Sequence, residues 1–308
     1  MSETLIEAAG LVKAYGHFMA VDGLDLHLDE GEVFGFLGPN GSGKSTTILM
    51  LLGLTEPTAG RVEVCGHNPT RDPLSVKRQV GYLPESVGFY ADLSGIDNLR
   101  YTAELNNMRR ERANERINTL LEMVGLGEAR AQQVGQYSRG MKQRLGLADV
   151  LLKEPRLVIL DDPTLGLDPT GIQWLLGVIE EMSTQGIAVF LSSHQLQEVQ
   201  QVCHRVGIMS HGKMVLQGTV DDLMSQRESG AYLLELEVSG GDGLSDVVKA
   251  IPGVQHCEAH GNQLVVEAST DVRSQVVATV AKHGADLLEL HSHNKTLEDI
   301  YLRYFQES

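Results

Sequence analysis

Residues 33–52 read VFGFLGPNGSGKSTTILMLL, which is an apolar run, a glycine-rich turn and a second apolar run. Length and composition predict a buried strand before the turn and a helix after it. The turn contains Gly38-x-x-x-x-Gly43-Lys44-Ser45. Because glycine has no Cβ, such a turn can direct successive N–H groups at one anion beside a helix N-terminus. This stretch therefore predicts a phosphate-binding loop.

The side chains of this loop predict a nucleoside triphosphate and its metal ion. Lys44 supplies a positive charge to the β- and γ-phosphates, and the Ser45 hydroxyl is placed to ligate Mg²⁺. Thr46 adds a further phosphate contact. The remaining positions of the predicted cradle are Gly38, Pro39, Asn40, Gly41, Ser42 and Gly43. A chance glycine-rich turn is the alternative, and the complete motif between a strand and a helix argues against it.

Composition limits the other partners of the chain. Its 308 residues suffice for one large domain and a small one. The net charge of −16 opposes binding to nucleic acid, so we expect no nucleic-acid partner. Three widely spaced cysteines favour a reducing compartment over a disulfide framework. No window approaches about 20 apolar residues, so we expect no membrane-spanning segment.

Two later apolar runs place chemical groups at the edge of a predicted parallel sheet. Residues 156–160 (RLVIL) end at Asp161, and ligands gather at the carboxyl ends of such strands. We expect Asp161 to hold Mg²⁺ or its water, and Asp162 to orient a water for attack on the γ-phosphorus. Residues 187–191 (IAVFL) lead to His194, for which structural and catalytic roles both stay open.

Two further patterns have an ordinary and a functional interpretation. Tyr15, in a Lys-x-Tyr-Gly turn, is either a half-buried turn residue or an aromatic ring that stacks on a base. Ser138 and Gly140 begin a helix, whose free N–H groups form either an ordinary N-cap or a second anion site. Asp168 is expected to cap the helix that follows the PTLGLDP turn.

The chain divides into two predicted domains. Residues 1–229 form the nucleotide-binding domain, with a helical subdomain at about 86–153. Residues 230–308 predict strands and helices in the order βαββαβ, which is typical of a small α+β ferredoxin-like domain, followed by a helix at 296–305. This second domain shows no catalytic constellation, and we expect an accessory or dimerisation role for it.

The chain contains, in this order, the phosphate-binding loop, the Ser138–Gln143 segment, the LGLDP turn and His194. This order resembles that of the ABC-type ATPases over roughly residues 1–228. The resemblance implies an α/β P-loop NTPase fold, ATP hydrolysis, and ATP with Mg²⁺ as ligands. It assigns Tyr15 to adenine stacking, Gly38–Thr46 to the Walker A loop, Glu85 to the Q-loop position near the metal, Asp161 to Walker B, Asp162 to the catalytic carboxylate, Ser138–Gln143 to the signature, Leu167-Asp168 to the D-loop and His194 to the switch histidine. Among these, Lys44, Asp162 and His194 are the expected catalytic residues.

The resemblance also implies partners. In this family two nucleotide-binding domains pair head to tail, so that Ser138, Gly140 and Gln143 of one subunit face the nucleotide of the other. A homodimer is therefore expected. The chain is more narrowly similar to ABC-2 exporter ATPases for drugs, sodium and copper, including those of nitrous-oxide-reductase maturation. This implies a separate membrane permease that docks on residues 85–101, and a peripheral location on the inner face of the cytoplasmic membrane.

Two departures from the family pattern bear on activity. Asp162 is one methylene shorter than the usual glutamate, so we expect slow hydrolysis with normal ATP binding. Glu85 replaces the usual glutamine and adds negative charge near the metal. The alternatives are a slow ATP-dependent clamp or regulatory protein, and a soluble ABC ATPase that acts on ribosomes or nucleic acid, which the net charge disfavours.

Overall fold

The computed structural model describes residues 3–225, 232–240 and 243–293. Its chain divides into two compact units, Met1–Val220 and Asp221–Ser308. The domain boundary expected at residue 229 lies outside the described residues and stays a prediction. No helix of the described ranges is both long and apolar enough to cross a bilayer.

The first unit contains strands and helices in alternation. The strands are β1 (Thr4–Tyr15), β2 (Phe18–Asp29), β3 (Val33–Leu37), β4 (Ala59–Val64), β5 (Val80–Leu83), β6 (Leu157–Asp161), β7 (Ala188–Ser193), β8 (Arg205–Ser210) and β9 (Lys213–Thr219). The helices are α1 (Lys44–Leu51), α2 (Pro73–Gln79), α3 (Gly95–Leu105), α4 (Arg110–Met123), α5 (Arg139–Leu151), α6 (Pro169–Thr184), α7 (Leu196–Val202) and, at the unit boundary, α8 (Val220–Ser225).

A six-stranded sheet in the order β5-β6-β7-β3-β8-β9 forms the centre of this unit. All its pairings are parallel except β8 with β9. Every residue of β3, β6 and β7 is buried, which explains why these strands are apolar apart from the polar residues at the carboxyl ends of β6 and β7. Leu37 pairs with Ser193, and Asp161 pairs with Ser192. The carboxyl ends of the three strands therefore lie side by side.

A three-stranded antiparallel sheet, β2-β1-β4, packs on the same core. Its first two strands are longer than the ranges 4–9 and 20–28 that turn residues indicate. Pairing continues to Tyr15 and Phe18, past Gly10 and Gly23, because register shifts absorb both glycines. The hairpin thus carries Tyr15 at its tip.

The predicted helical subdomain contains α3, α4 and α5, which pack on one another. Ser94 caps α3 as expected, since its hydroxyl accepts a hydrogen bond from the Asp97 N–H at 3.2 Å. The sequence also indicates Ala113 as a helix start, and this prediction is wrong, because α4 begins at Arg110 without a side-chain cap. Ala113 is instead a buried residue of the first turn, so packing and not capping fixes this helix.

The second unit has a four-stranded antiparallel sheet. Its elements are β10 (Tyr232–Ser239), α9 (Leu244–Lys249), β11 (Val254–His260), β12 (Gln263–Ala268), α10 (Arg273–Lys282) and β13 (Asp286–His293). The strand order is β11-β12-β10-β13, which is the order of a ferredoxin-like split βαβ unit, as predicted. The helix expected at 296–305 lies outside the described residues.

Candidate nucleotide-binding site

The predicted phosphate-binding loop connects β3 to α1 and is closely surrounded by backbone. Gly43, at φ 110°, precedes the first residue of α1, and a Cβ there would lie 2.4 Å from the carbonyl oxygen of Ala20. A Cβ at Gly38 would lie 2.5 Å from the carbonyl oxygen of Met209. Both positions therefore require glycine, and the loop follows the path that phosphate binding needs.

Lys44 points its ammonium group into this loop. Its Nζ donates hydrogen bonds to the carbonyl oxygens of Gly38 at 2.6 Å and Pro39 at 3.2 Å. Burial lowers the pKa of Lys44, while the charges of Asp162 and Asp161 act to raise it. These charges therefore link the loop electrostatically to the end of β6, two strands away from β3 in the sheet.

The hydroxyl of Ser42 shows that the loop fits a phosphate. Ser42 is buried, and its Oγ has no hydrogen-bond partner among the described residues. A buried hydroxyl without a partner costs free energy, and a phosphate oxygen would accept its hydrogen bond. Ser45 is exposed on the first turn of α1, so its hydroxyl is accessible to a metal ion.

Asp161 lies at the end of β6, as predicted, and is held from the next strand. Its Oδ1 accepts a hydrogen bond from the Ser192 hydroxyl at 2.8 Å. Burial is the main cause that raises the pKa of Asp161; Asp162 and Glu85 raise it further, while Ser192 and Lys44 lower it. A carboxylate in this environment gains from a nearby cation. Carboxylate and hydroxyl oxygens are ligands that Mg²⁺ prefers, so the donor set fits this ion.

Asp162 and His194 are in direct contact. The Nδ1 of His194 lies 2.8 Å from Oδ1 of Asp162, and the His194 N–H donates to the same oxygen at 3.3 Å. Asp162 has a left-handed backbone, at φ 45°, and its N–H donates to the carbonyl oxygen of Ser192 at 3.1 Å. The sequence predicts that both side chains lie at this sheet edge. It does not predict that they touch.

The signature segment forms the start of α5. Ser138 caps this helix, since its hydroxyl accepts a hydrogen bond from the Met141 N–H at 3.2 Å, so the N-cap interpretation is confirmed. The second anion site at Ser138 and Gly140 stays a prediction. Gln143 is buried, and its Nε2 donates to the carbonyl oxygen of Pro163 at 2.9 Å. It therefore joins α5 to the turn after Asp162, a role within the subunit that differs from the expected nucleotide contact.

Three other predicted site residues, Asp168, Tyr15 and Glu85, lie at or next to the ends of helices and strands. Asp168 caps α6, because its Oδ1 accepts a hydrogen bond from the Gly171 N–H at 2.8 Å. Tyr15 is exposed at the tip of the β1–β2 hairpin, with the Lys13 Nζ 4.9 Å from its ring centroid. Both interpretations of Tyr15 stay open, because its relative accessibility is 48%. Glu85 is also exposed, on the segment after β5.

Sequence reasoning missed two contacts of this region. Ser192 positions Asp161, and only the parallel register of β6 with β7 could have indicated it. Arg139 lies against Gly166 of the D-loop turn, a contact between segments that are distant in the sequence.

Comparisons with known proteins agree with this geometry. A family model described as "ABC transporter" matches residues 21–165. The bacitracin transport ATP-binding protein BcrA of Bacillus licheniformis is 34% identical over 302 residues, which cover 97% of each chain. The linearmycin resistance ATP-binding protein LnrL of Bacillus subtilis is 32% identical, with 97% of each chain covered. The daunorubicin resistance ATP-binding protein DrrA3 of Streptomyces coeruleorubidus is 32% identical, with 98% and 96% covered.

Solved structures show the same fold. An ATP-binding subunit of an ABC transporter matches with a TM-score of 0.67 and 32% identity, over 72% of this chain and 92% of its own. The ADP form of the cassette MJ1267 matches with a TM-score of 0.65 and 21% identity, over 72% and 93%. The chain therefore belongs to the ABC transporter ATP-binding proteins, in the ABC-2 exporter group, and is an ATPase whose ATP hydrolysis is coupled to transport.

Proposed function

We propose that two copies of this chain pair head to tail around two ATP–Mg²⁺ and drive a separate ABC-2 permease for export. One observation carries the proposal. The loop at 38–45, Asp161 and the Asp162–His194 pair lie at one sheet edge, whereas α5 with its signature segment packs on β5, α3 and α4. The phosphate-binding loop and the signature segment are thus supported by different elements. In the proposed pair, the signature segment of a second copy would complete each nucleotide site.

In this proposal, different residues of the site contact the phosphates, the metal ion and the adenine ring of ATP. Lys44, the loop N–H groups and the Ser42 hydroxyl hold the phosphates. Ser45 and Asp161, with Glu85 nearby, would hold Mg²⁺, which when bound offsets the negative charge on the phosphates. Tyr15 would stack on the adenine ring.

Asp162 is the residue placed to act on the attacking water. Its Oδ1 is occupied by His194, which leaves Oδ2 to orient the water and accept its proton. His194 keeps the carboxylate in this orientation and would approach the γ-phosphate from the same side. The exposed imidazole can move between these partners, because its side chain is 41% accessible.

The permease contact is proposed at residues 85–101. This segment exposes Tyr90 and Tyr101, whose rings meet edge to face with centroids 5.2 Å apart, and the side chain of Leu93. Exposed apolar groups of this kind mark protein interfaces. We place the subunit on the inner face of the cytoplasmic membrane by this contact. Because the relatives are named for bacitracin, linearmycin and daunorubicin, we propose a bulky natural product as cargo, selected by the permease.

The pairing can be tested with a variant that binds ATP without hydrolysing it. Asp162→Asn should convert from monomer to dimer in sedimentation velocity when ATP–Mg²⁺ is added, and the same variant carrying Lys44→Ala should stay monomeric. A structure of the dimer should show each γ-phosphate near Ser138 and Gly140 of the other subunit. A nucleotide enclosed by one subunit, or a monomer at saturating ATP, would contradict the proposal.

A further inference from the structure

Tyr82 lies on the same face of the central sheet as Asp161. In β5 it is paired with Ile159 of β6, and Asp161 follows Ile159 by two residues, so that both point to one face. Ile159 belongs to the core cluster against which the Tyr82 ring packs. Ser192 of β7 is paired with Asp161 and continues this face. The side chains of Tyr82, Asp161 and Ser192 therefore share one face of three adjacent strands, near the carboxyl ends.

The Tyr82 hydroxyl reaches the carboxylate of Asp161. A diagonal between neighbouring strands separates the two Cα atoms by about 8 Å, which is within reach of an aromatic side chain. Burial, the charge of Asp161 and a hydrogen bond to its carboxylate raise the pKa of Tyr82 to about 12. The phenol is the donor in this bond. Asp161 is thus held from both sides, because the Ser192 hydroxyl donates to its Oδ1 at 2.8 Å.

Two neutral donors suit a carboxylate that has to bind a cation. They fix the orientation of the carboxylate but leave its negative charge in place, whereas a lysine or arginine would offset that charge. The hydrogen bonds that orient a metal ligand typically contribute about 10–100-fold to metal affinity or activity. The contact with Tyr82 therefore has a function beyond the packing of its ring.

We propose that Tyr82 is a positioning residue of the magnesium site, whose hydroxyl, opposite that of Ser192, holds the Asp161 carboxylate in the orientation that binds Mg²⁺ or its water. This inference rests on the proposed binding of Mg²⁺ by Ser45 and Asp161. It extends that site to β5, a strand whose residues have so far contributed only to the core. The effect of Tyr82 is expected on the metal ion and not on the nucleotide alone.

The test measures how strongly Mg²⁺ raises the affinity for fluorescent ADP, as the ratio of the dissociation constants in EDTA and in excess Mg²⁺. Tyr82→Phe keeps the ring and removes only the hydroxyl, and this ratio should fall by about tenfold. Ser192→Ala removes the opposite donor and should lower the ratio in the same way. Tyr137→Phe is the matched control, because it removes a buried tyrosine hydroxyl that donates elsewhere, to the carbonyl oxygen of Ala129 at 2.8 Å. Its ratio should equal that of the wild type.

A positioning role also predicts a split in the kinetics of phosphate release from ATP. In Tyr82→Phe the Mg²⁺ concentration at half-maximal rate should rise by about tenfold, while the rate at saturating Mg²⁺ stays within about threefold. The proposal is overturned if Tyr82→Phe behaves like Tyr137→Phe, or if it weakens ADP binding equally with and without Mg²⁺, as a purely structural defect would. A wild-type ADP affinity that does not depend on Mg²⁺ would instead refute the magnesium site itself, before Tyr82 is changed.

Discussion

Asp162 has a short side chain whose reach is further limited by its hydrogen bonds. Oδ1 is held by the ring and the N–H of His194, and the backbone is left-handed at this residue. Asp162→Glu should move the carboxylate about 1 Å toward the phosphates. Because a misplacement of this size can cost about 100-fold in rate, we expect turnover to rise by up to that factor. Phosphate release at saturating ATP measures it.

The control for this change is Asp286→Glu, an exposed residue of the second unit at which turnover should not change. ATP affinity should stay within about twofold in both variants, since neither alters the phosphate-binding loop. An unchanged or slower rate for Asp162→Glu would show that the fold has adapted to aspartate. A slow wild-type enzyme would also give weight to the ATP-dependent clamp alternative.

Gly43 is the loop residue with the least room for a side chain. In Gly43→Ala the new Cβ meets the backbone oxygen of Ala20 at 2.4 Å, and φ is 110°. Strained backbone of this kind costs about 1–3 kcal/mol, so we expect the Tm to fall by about 2–10 °C. ATP binding, followed by calorimetry, should weaken by at least about tenfold.

Gly41→Ala provides the comparison for this prediction. Gly41 has a positive φ of 81°, but a Cβ there meets nothing within 4 Å. Gly41→Ala should therefore strain the backbone without a clash, and it should lower the Tm less than Gly43→Ala does. Equal losses in the two variants would argue that conformation alone, and not the surrounding backbone, requires glycine in this loop.

At the scale of single residues, the sequence predicts chemistry better than contacts. The spacing of Gly43, Lys44 and Ser45 is set by the phosphate it holds, so the motif can be read from the chain alone. The Ser192–Asp161 hydrogen bond and the Arg139–Gly166 contact join segments far apart in the sequence. Their geometry depends on strand register and packing, which no local pattern contains.

Helix α5 contains a carboxyl group that the fold disfavours in its charged form. Asp149 is half-buried, and its Oδ1 is buried and has no hydrogen-bond partner among the described residues. Burial raises the pKa of Asp149 above 3.8, although a hydrogen bond from Thr102 and the charge of Lys153 lower it. The ionised carboxylate therefore costs stability at neutral pH.

Asp149→Asn should accordingly stabilise the protein at pH 7. When folding raises the pKa of a carboxyl group, the free energy of unfolding falls as the pH rises from the pKa of the unfolded state through the pKa of the folded state. The gain should be about 1 kcal/mol, or roughly 2–4 °C in Tm, and should disappear below about pH 4, where the wild-type group is protonated. Thermal unfolding between pH 4 and pH 8 measures it.

Asp97→Asn, on α3, is the control of opposite sign. Hydrogen bonds from Ser94 and Arg100 lower the pKa of Asp97, so its ionised form favours the folded state. Removing this charge should lower the Tm at pH 7 and have less effect in acid. If both asparagine variants moved the Tm in the same direction, general loss of charge and not local environment would be responsible.

At the scale of elements, buried strands are the most predictable part of this fold. The runs that became β3, β6 and β7 are almost wholly apolar because every residue of these strands is buried. Boundaries were less predictable. The β1–β2 hairpin extends past Gly10 and Gly23 since cross-strand pairing outweighs local turn preference, and α4 starts without any capping residue.

At the scale of the whole molecule, the docking segment gives a testable prediction about assembly. Replacing both tyrosines, Tyr90→Ala with Tyr101→Ala, removes the exposed aromatic pair. We expect recovery of the permease with the tagged ATPase to fall by about tenfold, because buried aromatic anchors contribute most to an interface. Co-expression with a candidate ABC-2 permease from the same genome, followed by affinity purification, measures it.

The matched control is Leu288→Ala, which removes an apolar side chain of similar exposure from the second unit. ATP binding by the isolated subunit should be unchanged in both proteins. Recovery of the permease at wild-type level with the double variant would place the docking surface elsewhere.

From the sequence, only the part of the transport function that this chain itself carries out was predictable. The order of motifs from Gly38 to His194 indicates the family, and the family supplies the ATPase activity. The identity of the proposed permease and of its cargo does not follow from these motifs. The ferredoxin-like topology of the second unit was predictable because core residues alternate with more exposed ones along β10 and β12.

The three buried thiols make this protein suitable for site-directed spectroscopy. Cys65, Cys203 and Cys257 are all free and buried, and burial raises the pKa of each, that of Cys65 to about 11. Maleimides react with exposed thiolates, so the native cysteines should stay unmodified in the folded state. One introduced thiol, such as Arg110→Cys, could then carry a spin label or fluorophore without a cysteine-free background, and distances between labelled copies would report opening and closing during turnover.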